Sequence, residues 1–209
     1  MFTQYLVETP VASLIFALTL VTSFYAFSNA EIYSKFMLNP YSIARNKRKY
    51  YTIFTSGLVH KDMMHLLFNM ITFYYFAFTL EKIMVAQSGV MGHVFFAALY
   101  IISLVLSDIP TILQNKDNPH YFSLGASGAI SAVLFSFILF YPKMTLGIFM
   151  VIPMPAYIFA FLFLGYCVWA ARQGQGGINH HAHLFGALTG LLLTILIYPW
   201  ILAHFIAQF

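Results

Sequence analysis

Six stretches of this chain are apolar enough to lie in a membrane, and together they leave room for little else. They run over roughly 10–29, 63–80, 91–107, 127–141, 154–171 and 182–203. A spanning helix takes about 20 residues, so a chain of 209 residues is used up by these spans and their loops. Charged residues make up 8% of the chain and hydrophobic ones 61%, whereas soluble domains carry about 25% charge. A water-soluble globule of this size could not cover that apolar surface. Disordered, collagen-like and disulfide-rich classes are excluded by the same balance. The expectation is a single all-α polytopic membrane domain over 1–209, a six-helix bundle embedded in a lipid bilayer.

Local signals refine the spans. Residues 144–171 carry no charge and are too long for one simple helix, but Pro153 and Pro155 divide them. Proline lacks an N–H and disfavours helix at the residue before it. An interfacial connection is therefore predicted over Met144–Ile152, with the fifth helix starting near Met154. Ser28-Asn29-Ala30 resembles a signal cleavage site, but no basic segment precedes it and the apolar run is longer than a signal core. The single Cys167 lies inside the fifth stretch, so no intrachain disulfide can form.

The net charge of +4 comes mainly from the first loop, 30–62, which holds Arg45, Lys47, Arg48 and Lys49 beside Tyr50 and Tyr51. Cations and aromatics together suit the headgroup level of a membrane, and no nucleic-acid partner is expected. With six spans, the odd loops share Lys35, Arg45, Lys47, Arg48, Lys49, Lys61, Lys116 and Arg172, against Lys82 and Lys143 on the other face. Counted alone, the charges put the odd loops in the cytoplasm.

Polar groups in a membrane are costly and point to function. Four clusters stand out. Gly125-Ala126-Ser127-Gly128 opens the fourth span. A serine at a helix start can attack a carbonyl while free N–H groups hold the oxyanion. Ala182, Gly186 and Gly190 form a small-residue stripe on the sixth span, with His183 beside its top. If the fourth span packs there through Gly128, Ser131 and Ala132, Ser127 and His183 lie at equal depth, and a serine nucleophile needs such a base. His65 and Asn69 are four residues apart and share a helix face, as two hydrogen-bond donors suited to an oxyanion. The fourth cluster is Asn179-His180-His181-Ala182-His183. His60, His65, His180, His181 and His183 could form a metal site if the first and fifth loops met. The His-Glu-x-x-His pattern is missing, however, and the His60–His65 spacing is wrong for one helix face. No metal and no cofactor are expected. Three aspartates and three glutamates are present and none is placed in a span core, which excludes an aspartyl intramembrane protease.

Taken together, His60-x4-His65-x3-Asn69, Gly125-x-Ser127-Gly128 and Ala182-His183-x2-Gly186-x3-Gly190 resemble the rhomboid family of intramembrane serine proteases, in order, span and spacing, over roughly 55–190. The resemblance implies an active site sunk below the membrane surface, with Ser127 as nucleophile and His183 as general base and no catalytic aspartate. It implies oxyanion donors in His65, Asn69 and the Ser127 N–H. It also implies structural support from His60, Glu81, Gly125, Gly128, Gly186 and Gly190. The substrates it implies are single-pass or polytopic membrane proteins, unwound locally for attack. Bacterial relatives of six helices imply an inner-membrane location with the site facing outward, opposite to the charge count. Two positions depart from the pattern. Tyr51 and Thr52 stand where many relatives have Trp-Arg, and Ser131 stands where some have a tyrosine that stacks on the histidine. The competing readings are a proteolytically silent relative acting as a binding or quality-control protein, a kind that loses the serine or the histidine whereas this chain keeps both, and a small histidine-rich metal-binding membrane transporter.

Overall fold

The computed structural model describes residues 6–148, 151–173 and 178–209. Helix α1 (Pro10–Ser28) starts on a proline, whose missing N–H costs nothing at that position. The first loop is built from the short helices α2 (Ala30–Phe36), α3 (Pro40–Arg45) and α4 (Thr52–Thr55). Then follow α5 (Met63–Ser88), α6 (Met91–Asn115), α7 (Ser127–Phe140), the hairpin β1 (Thr145–Ile148) and β2 (Ile152–Pro155), α8 (Ala156–Gln173), α9 (His180–Ile197) and α10 (Ile201–Ala207). The protein is an all-α polytopic membrane bundle with this one small antiparallel hairpin.

Among the described residues, α1, α5, α6, α8 and α9 are long and apolar enough to cross a membrane. Helix α7 has 14 residues and sits at the centre, with every residue from Gly128 to Phe140 buried. A central helix surrounded by others has no lipid face to match to the bilayer. Its neighbours carry the exposed apolar surface instead, such as Leu14, Phe24, Phe161 and Leu196.

Several boundaries differ from the sequence-based expectation, each for a local reason. The second span continues past residue 80 to Ser88 and stops at Gly89, whose φ of +58° suits glycine. The third continues past Ser107 through Asp108 and Pro110 to Asn115. Asp108 turns inward and is buried, and Glu81 is fully buried in α5, so two acids do lie within the helical bundle. The fifth helix begins at Ala156, not Met154, because Ile152–Pro155 pair as a strand with Thr145–Ile148. Residues 149–150 of the expected Met144–Ile152 connection lie outside the described residues. The sixth helix starts two residues early, at His180, because Asn179 caps it, and it ends at Ile197 ahead of Pro199.

Glu81 is the main polar tie between α1 and α5. Its carboxylate accepts from the N–H groups of Val11 (3.2 Å) and Ala12 (2.7 Å), the orphan donors at the positive end of α1. His93 Nδ1 of α6 lies 2.6 Å from Glu81 Oε1. Replacing Glu81 with alanine leaves these donors buried without an acceptor, a loss of roughly 3 kcal/mol. A thermal melt of Glu81→Ala in detergent is expected to shift down by several degrees, with Glu81→Gln losing less.

The first loop is pinned over the third. Leu38 and Ser123 exchange two backbone bonds of 2.9 Å. Asn39 Nδ2 donates to the carbonyls of Pro119 (3.2 Å) and Tyr121 (2.9 Å). Arg45 donates to Lys116 O (2.7 Å) and pairs with Asp117. Where Trp-Arg was absent, Tyr51 Oη donates to Lys35 O (3.1 Å) and Thr52 Oγ1 to Lys49 O (2.7 Å). Arg45 and Lys35, the latter paired with Glu31, are thus matched within the protein, as is Lys82 of the opposite face, which pairs with Glu8.

Candidate active site

The site is assembled at the start of α7. Gly125 precedes it at φ +109°, a conformation that side chains rarely adopt, and its N–H donates to Ser56 O (2.9 Å). A Cβ here would stand 2.6 Å from His65 Cε1 and 2.9 Å from His65 Nε2. The glycine therefore lets the imidazole of α5 press against the turn. Ser127 is the first residue of α7, and no side chain caps that helix. Its first-turn N–H groups lack intrahelical partners and form the positive end of the helix dipole.

His183 lies in the first turn of α9, and a polar lock fixes that end. The Asn179 side chain accepts from Ala182 N–H (3.0 Å) and bonds Thr111 of α6 and Ser123 of the third loop. Below it, the small-residue stripe brings α7 and α9 into backbone contact. A Cβ on Gly186 would meet Gly128 O at 2.1 Å, and one on Gly190 would meet Ala132 O at 2.2 Å. Ser136 Oγ adds a bond to Gly190 O (3.1 Å) across the same seam. The consequence is a hydrogen bond of 2.7 Å between Ser127 Oγ and His183 Nε2. Gly128 also abuts Ser107, whose Oγ lies 2.3 Å from where its Cβ would be.

Ser131 does not touch the histidine ring with an aromatic face, and Phe163 of α8 takes that place. Its ring stacks on His183 with centroids 6.1 Å apart and planes 24° from parallel. Nothing in a span as aromatic as 156–173 distinguishes Phe163 from its neighbours, so sequence reasoning missed it.

His65 and Asn69 line the same cavity as Ser127 and His183, a space of about 790 Å³ that also reaches Lys61 and Phe163. Lys61 N–H donates weakly to His65 Nδ1 (3.4 Å), an arrangement that favours a ring proton on Nε2, the edge beside Gly125. Asn69 is buried, and its Nδ2 donates to His65 O one turn back (3.0 Å). His60 is fully buried behind the cavity, with Nδ1 2.9 Å from Ser23 Oγ and its ring edge-on to His65 at 5.0 Å. Burial, then the charge of His65, drives its pKa down to about 3, so this ring is neutral. Glu81 stands apart from the cavity in its tie to α1.

The histidines of the first and fifth loops do not converge as one ligand set. Among the described residues, the group with metal-ligand spacing is Cys167, His180 and His183.

The structure thus holds a half-buried, hydrogen-bonded serine–histidine pair at the wall of a cavity of about 790 Å³ within a membrane bundle. The Rhomboid domain family matches residues 47–200. The chain is also 28% identical over 164 residues to RHOMBOID-like protein 12, mitochondrial, of Arabidopsis thaliana. That match covers 73% of this chain and 49% of the relative, so the chain spans about half the length of that protein. The chain belongs to the rhomboid family and is an integral multi-pass membrane protein with the fold of the intramembrane protease type.

Proposed function

We propose that the protein is an intramembrane serine endopeptidase that cleaves membrane-spanning segments of other membrane proteins through Ser127 and His183. The observation that carries this reading is the 2.7 Å bond from Ser127 Oγ to His183 Nε2 at the wall of a cavity. His183 takes the Ser127 proton as the hydroxyl attacks a peptide carbonyl. Phe163 and the Asn179 lock hold the imidazole in line. The oxyanion falls at the uncapped start of α7, where the Ser127 N–H and the His65 Nε2–H are available as donors. Asn69 joins them by releasing His65 O. His183 then protonates the leaving amine, and water from the cavity hydrolyses the acyl-enzyme. A substrate helix hides its carbonyls in its own hydrogen bonds, so it must unwind to enter. The bacterial cytoplasmic membrane, with the cavity open to the outside, is the proposed setting and follows from the resemblance to six-helix bacterial members. The name of the Arabidopsis relative places that protein in mitochondria.

The reading is tested in proteoliposomes with single-span substrates that differ only in a helix-breaking residue near the membrane surface. Cleavage is expected for the broken helix and little for the intact one. In the same assay, His65→Ala and Asn69→Ala are each expected to lower kcat by about 10²–10³-fold, the usual cost of one oxyanion donor, with KM little changed. Intact activity in both variants would remove them from the oxyanion site.

A further inference from the structure

Cys167 of α8 and His180 and His183 of α9 each present a ligand atom, and these atoms lie within 4.8 Å of one another. Cys167 is fully buried, and the reaction gives it no role. His180 and His183 are three residues apart on one helix face. His180 is more than nine-tenths buried, and its Nδ1 has no hydrogen-bond partner. A buried polar atom left open is costly, and this one belongs to the side chain that completes the set. One thiol and two imidazoles make a donor set for Zn²⁺ or Cu⁺.

We propose that these three residues form an inhibitory site for a thiophilic metal ion, Zn²⁺ in the first instance, which switches off the general base. The proposal rests on the protease reading for its consequence, but not for the binding itself. His183 Nε2 is engaged with Ser127, so Nδ1 is the nitrogen left for a metal. Coordination at Nδ1 displaces its proton, and the neutral ring then carries its proton on Nε2. An Nε2–H donates to Ser127 and cannot accept the hydroxyl proton, so the nucleophile is not activated. Cys167 binds as thiolate and releases its proton to water. Tetrahedral bonds of about 2.3 Å to sulfur and 2.0 Å to nitrogen put donors about 3.5 Å apart, so the side chains draw in by roughly an ångström on loading. Of the three ligands, His183 lines the cavity, with Asn179 beside it.

The test begins with the full chain carrying Ser127→Ala, stripped of metal in detergent and titrated with Co²⁺. A thiolate-to-cobalt charge-transfer band is expected, and Zn²⁺ should abolish it. Cys167 is the sole cysteine, so the band reports on that residue even if Cys167→Ala fails to fold. In a folded Cys167→Ala the band should vanish. In the active protein, Zn²⁺ should suppress cleavage and a chelator restore it. Cys167→Ala should keep its basal rate and need at least about tenfold more Zn²⁺ for half-inhibition. Absence of the band would overturn the site, and equal Zn²⁺ sensitivity with and without Cys167 would overturn its role in inhibition. A band in a protein with no cleavage of any substrate would support the site while sinking the protease reading.

Discussion

Ser127→Ala is expected to lower kcat/KM for a cleavable membrane substrate on the order of 10⁴-fold or more, to background. On the proposed mechanism Ser127 Oγ is the atom that forms the acyl bond, and it is the cavity hydroxyl bonded to His183. The drop corresponds to about 5.5 kcal/mol of transition-state stabilisation. His183→Ala should cost about as much, because an unactivated hydroxyl is a poor nucleophile. The double variant should be no worse than either alone, since the two side chains act as one unit. Ser127 is half-buried at a helix start, and losing its hydroxyl leaves no cavity of consequence, so the melting temperature should hardly move. Activity within a hundredfold of wild type in Ser127→Ala would assign the chemistry to another residue.

Gly186→Ala is expected to have the second largest effect, on both stability and rate. The added Cβ would lie 2.1 Å from Gly128 O and 3.0 Å from Gly128 Cα. Both are backbone atoms on a buried helix, so no rotamer change relieves the clash and α7 and α9 must separate. In lipid the seam has no hydrophobic drive to hold it and depends on close packing and interhelical bonds such as Ser136 to Gly190. Overpacking of this kind costs about 2–3 kcal/mol. The rate should fall about 10²-fold further than stability alone explains, because a shift of roughly one ångström breaks the Ser127–His183 alignment. Gly190→Ala, at 2.2 Å from Ala132 O, should behave alike. Gly165→Ala is the control, since a Cβ there meets nothing within 4 Å. Thermal melts and kcat/KM of these three variants decide the matter, and a stable, active Gly186→Ala would show that the stripe is not the seam.

Much of this architecture could be read from the sequence because membranes simplify the problem. Charge-free runs mark helices, and the Ala182–Gly186–Gly190 stripe with Gly128 and Ala132 marked the pair that touches. The meeting of Ser127 with His183 followed from that pairing. What stayed hidden depended on the direction of single side chains. Asp108 read as the end of a span, because a charge usually ends one, yet it faces inward. Glu81 was named as structural support, but its role in capping the far end of α1 lies across 69 residues of chain. Phe163 had no mark among the aromatics of α8. Cys167 read as one apolar residue among many until α8 and α9 were placed side by side. The hairpin at 145–155 was obscured by its prolines, which break helix equally well in a connection or a strand.

The most direct test of the central claim is fluorophosphonate labelling of the detergent-purified protein, with the adduct located by peptide mass spectrometry. An activated serine should carry the label on Ser127 alone, and both Ser127→Ala and His183→Ala should remain unlabelled while melting as the wild type does. Label on another serine, or undiminished labelling in His183→Ala, would contradict a Ser127–His183 dyad.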